Sequence, residues 1–118
     1  MQTQVLLIDQ PTAQATALAL LKTEQIIAAP TDTVYGLMAR FDSAVAIEKL
    51  YEAKDRPPER AIPVLIGELA QLDQLTPIPV SLVAQTLIEQ FWPGPLTLVL
   101  PALTTLLPVL TAGQPTVA

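Results

Sequence analysis

Glu89 is the last charged residue of the chain, and every position from Gln90 to Ala118 is uncharged. A folded domain normally closes on a solvated face. A neutral, largely apolar C-terminal stretch is therefore either interior sheet or part of a chain that stops before its covering elements, and charge alone leaves both open. A membrane span is disfavoured, because Leu96 to Leu110 is cut by Pro101 and Pro108 and carries Thr97, Thr104 and Thr105. A spanning helix needs about 20 consecutive apolar residues. The first residues, Met1-Gln2-Thr3-Gln4, lack the basic region of a signal peptide. The expectation is a soluble, cytoplasmic protein with no membrane partner.

With 51% hydrophobic residues in 118, the chain is too apolar for disorder and long enough to bury one core. Six basic residues against eleven acidic ones give a formal charge of -5, so the overall field repels phosphate. Any grip on a nucleotide or nucleic acid must come from a local patch. The absence of cysteine and histidine removes disulfides, thiolate nucleophiles, Ser-His-Asp chemistry and most zinc sites together. Lys, Arg, Thr, Tyr, carboxylates and backbone are left to carry the chemistry.

Prolines punctuate the chain into short elements. Val5 to Ile8 reads as a strand, Asp9 and Pro11 as a helix entry, and Ala13 to Leu21 as a helix with an apolar face of Ala17, Leu18 and Leu21. Gln25 to Ala29 is a second strand, stopped by Pro30. The loop from Thr31 then leads into another extended segment, with Gly36 where the backbone turns or approaches something closely. Ser43 to Lys54 is the clearest helix, capped by Asp42 or Ser43 and carrying Ala44, Ile47, Leu50 and Tyr51 at helical spacing. Pro57-Pro58 ends it, and Ala61 to Ile66 reads as a buried strand. A short helix at Glu68 to Leu72, a proline-rich turn at Thr76 to Pro79 and a helix from Val80 to Phe91 follow. Trp92-Pro93-Gly94-Pro95 is a tight loop, Leu96 to Leu100 a strand, and Thr116-Val117-Ala118 the opening of another. Alternating strands and helices indicate an α/β or mixed α+β layer fold.

Lys54, Arg56 and Arg60 form the one local cluster of cations, in a helix-to-strand connection. They can converge on a polyphosphate, Lys as a point charge and Arg as a planar fork. They can equally be a helix C-terminus favoured by the macrodipole and half-neutralised by Asp55 and Glu59. Thr31, Asp32, Thr33 and Tyr35 crowd two hydroxyls, a carboxylate and a phenol behind a strand end, where polar groups can line a crevice. Taken alone, that loop reads better as a turn in which Thr31 and Asp32 bond their own backbone. The Trp92 loop reads as a stiff turn before it reads as a wall for a base.

Taken in series, Ala29-Pro-Thr-Asp-Thr-Val-Tyr-Gly-Leu37, Tyr51-Glu-Ala-Lys-Asp-Arg-Pro57 and Phe91-Trp-Pro-Gly-Pro-Leu-Thr97 resemble the YrdC-like family of threonylcarbamoyl-AMP synthases, from about Gln25 to the end of the chain. The resemblance implies a twisted mixed sheet flanked by helices. It also implies an enzyme that condenses L-threonine, bicarbonate and ATP into threonylcarbamoyl-adenylate and releases pyrophosphate. A partner transferase would then pass the threonylcarbamoyl group to tRNA. By this resemblance Lys54 and Arg56 are the catalytic, ATP-binding cations, and Thr31, Thr33 and Tyr35 belong to the threonine-binding loop. Thr116 matches a threonine near the nucleotide. Magnesium is expected on the phosphates, held mainly through ATP rather than by a carboxylate cluster.

The family pattern continues past Thr-Val-Ala into Val-Arg and a Ser-x-Asn segment, so the resemblance implies an N-terminal part of a longer synthase domain covering residues 1–118. A chain of that kind should bind ATP weakly, and its turnover is in question. Leu65 stands where some relatives carry a histidine. Three alternatives stay beside the synthase: a non-catalytic RNA-binding module making weak tRNA contact, a carbamoyl-adenylate domain of the kind used in hydrogenase maturation, and an inert remnant.

Overall fold

The computed structural model describes residues 2–118. Its elements run α1 (Ala13–Lys22), β1 (Ile27–Ala29), β2 (Gly36–Met38), α2 (Ala44–Lys54), a 3-10 helix (Leu69–Gln74), α3 (Leu82–Phe91), β3 (Leu100–Pro101), α4 (Pro108–Thr111) and β4 (Thr116–Val117). The architecture is the expected mixture of α and β. Among the described residues, however, the sheet is present as two antiparallel pairs, β1 with β2 and β3 with β4. The first pair aligns Ile27 with Met38 and Ala29 with Gly36; the second aligns Leu100 with Val117.

The helix α2 is built as its spacing predicts. Ser43 holds an extended backbone and its hydroxyl accepts from the Ala46 amide, a serine N-cap. Asp42, the other candidate cap, is instead held by Arg40 through two parallel hydrogen bonds of 2.9 and 2.7 Å. Ile47, Leu50 and Tyr51 are buried. Ala44 is exposed, and Ala46 takes the inner position one turn from Leu50. Ile47 and Tyr51 pack with Leu110 of α4 to form the core, with Phe41, Ile62, Val64 and Leu106 around them. The uncharged C-terminal stretch therefore supplies part of the interior through Leu110 and Val117, while Val99 remains exposed.

Elsewhere the burial is thin. The helix α1 buries no residue, and Leu18 of its expected apolar face is half exposed. The radius of gyration is 15.2 Å, above the roughly 13.5 Å expected for a compact chain of this length. One principal dimension is only 21 Å against 45 Å for the longest. The molecule is a slab with a local core under α2, not a closed globule.

Three of the expected strands are corrected. Val5 to Ile8 forms no ladder, and Val5 and Ile8 are exposed because no strand lies alongside to take their backbone bonds. Ala61 to Ile66 is not a regular strand: the Ile62 amide donates to the Leu110 carbonyl and the Val64 amide to that of Ala118, two unrelated partners with no shared register. Of Leu96 to Leu100 only Leu100 pairs. The expected short helix is a 3-10 helix closed by a capping box between Glu68 and Gln71. The expected helix from Val80 begins at Leu82, with Ser81 as its cap.

Candidate functional site

Three loops surround one concavity. The first joins β1 to β2, where Pro30 has no amide to continue the ladder. The Thr31 hydroxyl organises it. Its Oγ1 accepts from the amides of Thr33 and Val34, both at 3.2 Å, and donates to the Val34 carbonyl. The Thr33 hydroxyl lies 3.3 Å away. Thr31 is thus spent on a local turn, as its spacing alone suggests, while Thr33, Asp32 and Tyr35 stand exposed. Gly36 is not forced by a close approach, since an added Cβ would stand 3.7 Å from the Thr31 methyl, an ordinary contact.

The second loop follows α2. Asp55 takes a left-handed conformation at φ 47°, which aspartate tolerates better than most residues. The turn is closed by the Arg56 amide on the Tyr51 carbonyl at 3.0 Å. The Arg56 guanidinium folds back over the loop, with Nε donating to the Arg60 carbonyl at 3.1 Å and one terminal nitrogen to the Ala61 carbonyl at 2.7 Å. The Tyr51 hydroxyl lies 2.9 Å from that same Arg60 carbonyl and 3.2 Å from the Val109 carbonyl, sharing its proton between them. Burial pushes the Tyr51 phenol above its ordinary pKa, and the positive charge of Arg56 pulls the other way. Lys54 is exposed and, among the described residues, its ammonium takes part in no ion pair or hydrogen bond.

The third loop begins where α3 ends. Trp92 donates its indole N–H to the Leu96 carbonyl at 2.8 Å, folding the loop over its own ring edge. Gly94 is sterically required, because a Cβ there would stand 2.5 Å from the Phe91 carbonyl oxygen.

Together these segments line a concavity of about 1060 Å³ that includes Thr31, Thr33, Tyr35, Lys54, Arg56 and Trp92. Pockets for small ligands run to about 300–1,000 Å³, so the space is ample for a nucleotide with a second small substrate. Two expected residues are not brought there. Thr116 lies outside the lining: Val117 is buried toward the concavity, and strand alternation turns Thr116 to the opposite, exposed face. Arg60 contributes its carbonyl, while its side chain stays outside. Leu65 does line the space, as an apolar group.

The lining also holds Glu68 and Glu89, which sequence reasoning did not select. Nothing in their spacing marks them, since Glu68 reads as a helix cap and Glu89 as a solvated helix face. Among the described residues no three carboxylate, histidine or cysteine groups converge as a metal site would require. A second cleft of about 430 Å³ lies between the 3-10 helix and α3. It carries Asp73 and Glu89 among apolar residues and no cation, a poor fit for phosphate. No helix among the described residues is long and apolar enough to cross a membrane.

Comparison with known proteins identifies the family and the fold. The Sua5–YciO–YrdC family model, described as telomere recombination, matches residues 19–118. A threonylcarbamoyl-AMP synthase of Bacillus subtilis is 47% identical over 106 residues, which is 88% of this chain and 30% of that protein. The Pyrococcus abyssi enzyme of the same name is 42% identical over 95 residues, 80% of this chain and 27% of that one. Among solved structures, Pyrococcus abyssi Sua5 complexed with L-threonine superposes with a TM-score of 0.82 at 37% identity, covering 86% of this chain and 30% of that chain. The solution structure of MTH1692 from Methanobacterium thermoautotrophicum gives a TM-score of 0.73 at 25% identity, covering 99% of this chain and 55% of that chain. The chain thus spans 30% and 27% of the lengths of the two synthases.

Proposed function

The chain belongs to the Sua5–YciO–YrdC family, and from that premise we propose that its concavity binds L-threonine and ATP and serves formation of threonylcarbamoyl-AMP, the activated group for threonylcarbamoyladenosine in tRNA. The observation that carries this reading is the convergence of three sequence-distant segments, around Thr31, Lys54 and Trp92, on one space. The presence of L-threonine with Pyrococcus abyssi Sua5, a structural neighbour, supports threonine as the amino acid.

The reaction needs no protein nucleophile, which suits a chain without cysteine or histidine. The threonine amine adds to the carbon of bicarbonate, with loss of water, or to that of the carbon dioxide derived from it, with loss of a proton, giving a carbamate. A carbamate oxygen attacks the α-phosphorus of ATP, the bond to the β-phosphate oxygen breaks, and the electron pair leaves with pyrophosphate. Negative charge grows on the α-phosphate and the leaving group. Fixed cations at that place lower the barrier electrostatically.

Lys54 and Arg56 fill this role. Lys54 is free to follow the phosphates on a flexible stem, whereas Arg56 has Nε and one terminal N–H engaged and presents its remaining N–H groups in a fixed orientation. The exposed Thr33 hydroxyl and Tyr35 phenol are the polar groups available to threonine on the facing loop. Magnesium would enter with ATP, held through its phosphates. The product would pass to a transferase that acts on tRNA, and a cytoplasmic location goes with these partners.

The reading is tested by incubating the protein with ATP, magnesium, L-threonine and bicarbonate, and following pyrophosphate and the adenylate by mass spectrometry. Threonine-dependent pyrophosphate with a matching adenylate mass is expected for a competent domain. Absence of both product formation and ATP binding would remove the assignment.

A further inference from the structure

The carbonyl of Arg60 links a core side chain to a cation of the candidate site. It accepts from the Arg56 Nε at 3.1 Å and faces the Tyr51 hydroxyl at 2.9 Å. Tyr51 is one of the three residues at the centre of the buried cluster, between Ile47 and Leu110, and its hydroxyl also reaches the Val109 carbonyl, 58 positions away in sequence. The next carbonyl, of Ala61, takes the second guanidinium bond at 2.7 Å, and the amide after it, of Ile62, is bonded to Leu110. The connection carrying the cations is therefore stitched to α4 on one side and to the Arg56 head group on the other. A carbonyl oxygen has two lone pairs, and here both are taken up.

We propose that Tyr51 is a positioning residue: its hydroxyl fixes the Arg60 carbonyl on which the Arg56 guanidinium is seated, and so sets the edge that Arg56 turns toward an anion in the concavity. Without the hydroxyl the ring still fills the core, but the Arg60 carbonyl loses its tie to α4 and the loop gains a degree of freedom. Binding must then order the arginine at the moment the anion arrives, and affinity falls by that ordering cost. The anion in this statement rests on the ATP reading above. The seating of Arg56 does not.

The test uses Tyr51→Phe, which removes only the hydroxyl, and reads the Arg56 Nε–H resonance in protein labelled with nitrogen-15 arginine. In the unaltered protein this proton should exchange slowly with water. In Tyr51→Phe it should exchange about tenfold faster, the scale of one ordinary hydrogen bond. Affinity for inorganic pyrophosphate should fall about three- to tenfold, the ordering cost of one long side chain.

A merely structural tyrosine would lower the melting temperature and leave the Arg56 resonance unchanged, and that result overturns the proposal. Should Tyr51→Phe fail to fold, an Arg56 Nε–H that exchanges at the free-arginine rate in the unaltered protein overturns it equally, and a protected one upholds the seat. Arg56→Lys keeps the charge without the two-carbonyl seat, so combined with Tyr51→Phe it should lose no more affinity than Arg56→Lys alone. Additive losses would contradict the coupling. If pyrophosphate does not bind at all, the ATP reading fails while the exchange measurement still decides the role of Tyr51.

Discussion

The two walls that face each other across the concavity are held in different ways. The cation wall, from Lys54 to Ala61, is flanked by ties to residues far away in sequence, from the Tyr51 hydroxyl to the Val109 carbonyl and from the Ile62 amide to the Leu110 carbonyl. The hydroxyl wall, from Pro30 to Tyr35, is held by Thr31 to residues two and three positions on, and Val34 and Tyr35 are 72% and 77% exposed. Long-range ties put one wall under the stability of the core. Local ties leave the other with only its own turn to order it. On the function proposed above, the phosphates would meet a seated Arg56 and a free Lys54, and the amino acid a loop held only locally.

The largest effect should come from the cation wall. Arg56→Ala removes two charge-assisted bonds to backbone carbonyls and should cost about 1.5–3 kcal/mol in chemical denaturation, together with ATP affinity. Lys54→Ala, with no partner to lose among the described residues, should cost under about 1 kcal/mol, the scale of a cation at a helix C-terminus, while lowering ATP affinity as well. Equal stability losses in the two variants would break the contrast between a seated cation and a free one. On the other wall, Thr31→Val keeps the shape and deletes the hydroxyl. It should cost about 0.5–1.5 kcal/mol and should weaken threonine binding with ATP binding nearly unchanged, as read by calorimetric titration of each. A matching fall in ATP affinity would mean the walls are not independent.

The smallest effect is on pH. Burial raises the Tyr51 phenol above its ordinary value of 10.0, so the folded state holds that proton more tightly than the unfolded chain does. The resulting stability is fully present below pH 10 and is lost as pH rises through the folded value. Tyr51→Phe should flatten this alkaline limb in thermal melts recorded across that range.

How much of this was legible in the sequence follows from the range of the interactions involved. The helix α2 was readable to its cap because Ser43, the spacing of Ile47, Leu50 and Tyr51, and the stop at Pro57 are local signals. The self-bonded turn of Thr31 was readable for the same reason. Strand pairing was not: Val5 to Ile8 and Ala61 to Ile66 have strand-like composition, and only the absence or presence of a distant partner decides whether they form a ladder. The Lys54 and Arg56 pair was visible as a cluster, but the seat under Arg56 was not, because it is made of backbone carbonyls and of a tyrosine that reads simply as core. Thr116 could be matched by pattern, yet which face of a two-residue strand it occupies depends on register with Leu100 and Pro101.

The central question is whether the three segments act as one site. Amide chemical-shift mapping with ATP and L-threonine tests this directly. A single site would give saturable shifts in all three segments, at residues 31–36, 54–61 and 92–97, with threonine confined largely to the first. Shifts restricted to the Lys54 to Arg60 stretch, or shifts centred on the apolar cleft between Leu69 and Ile88, would contradict it.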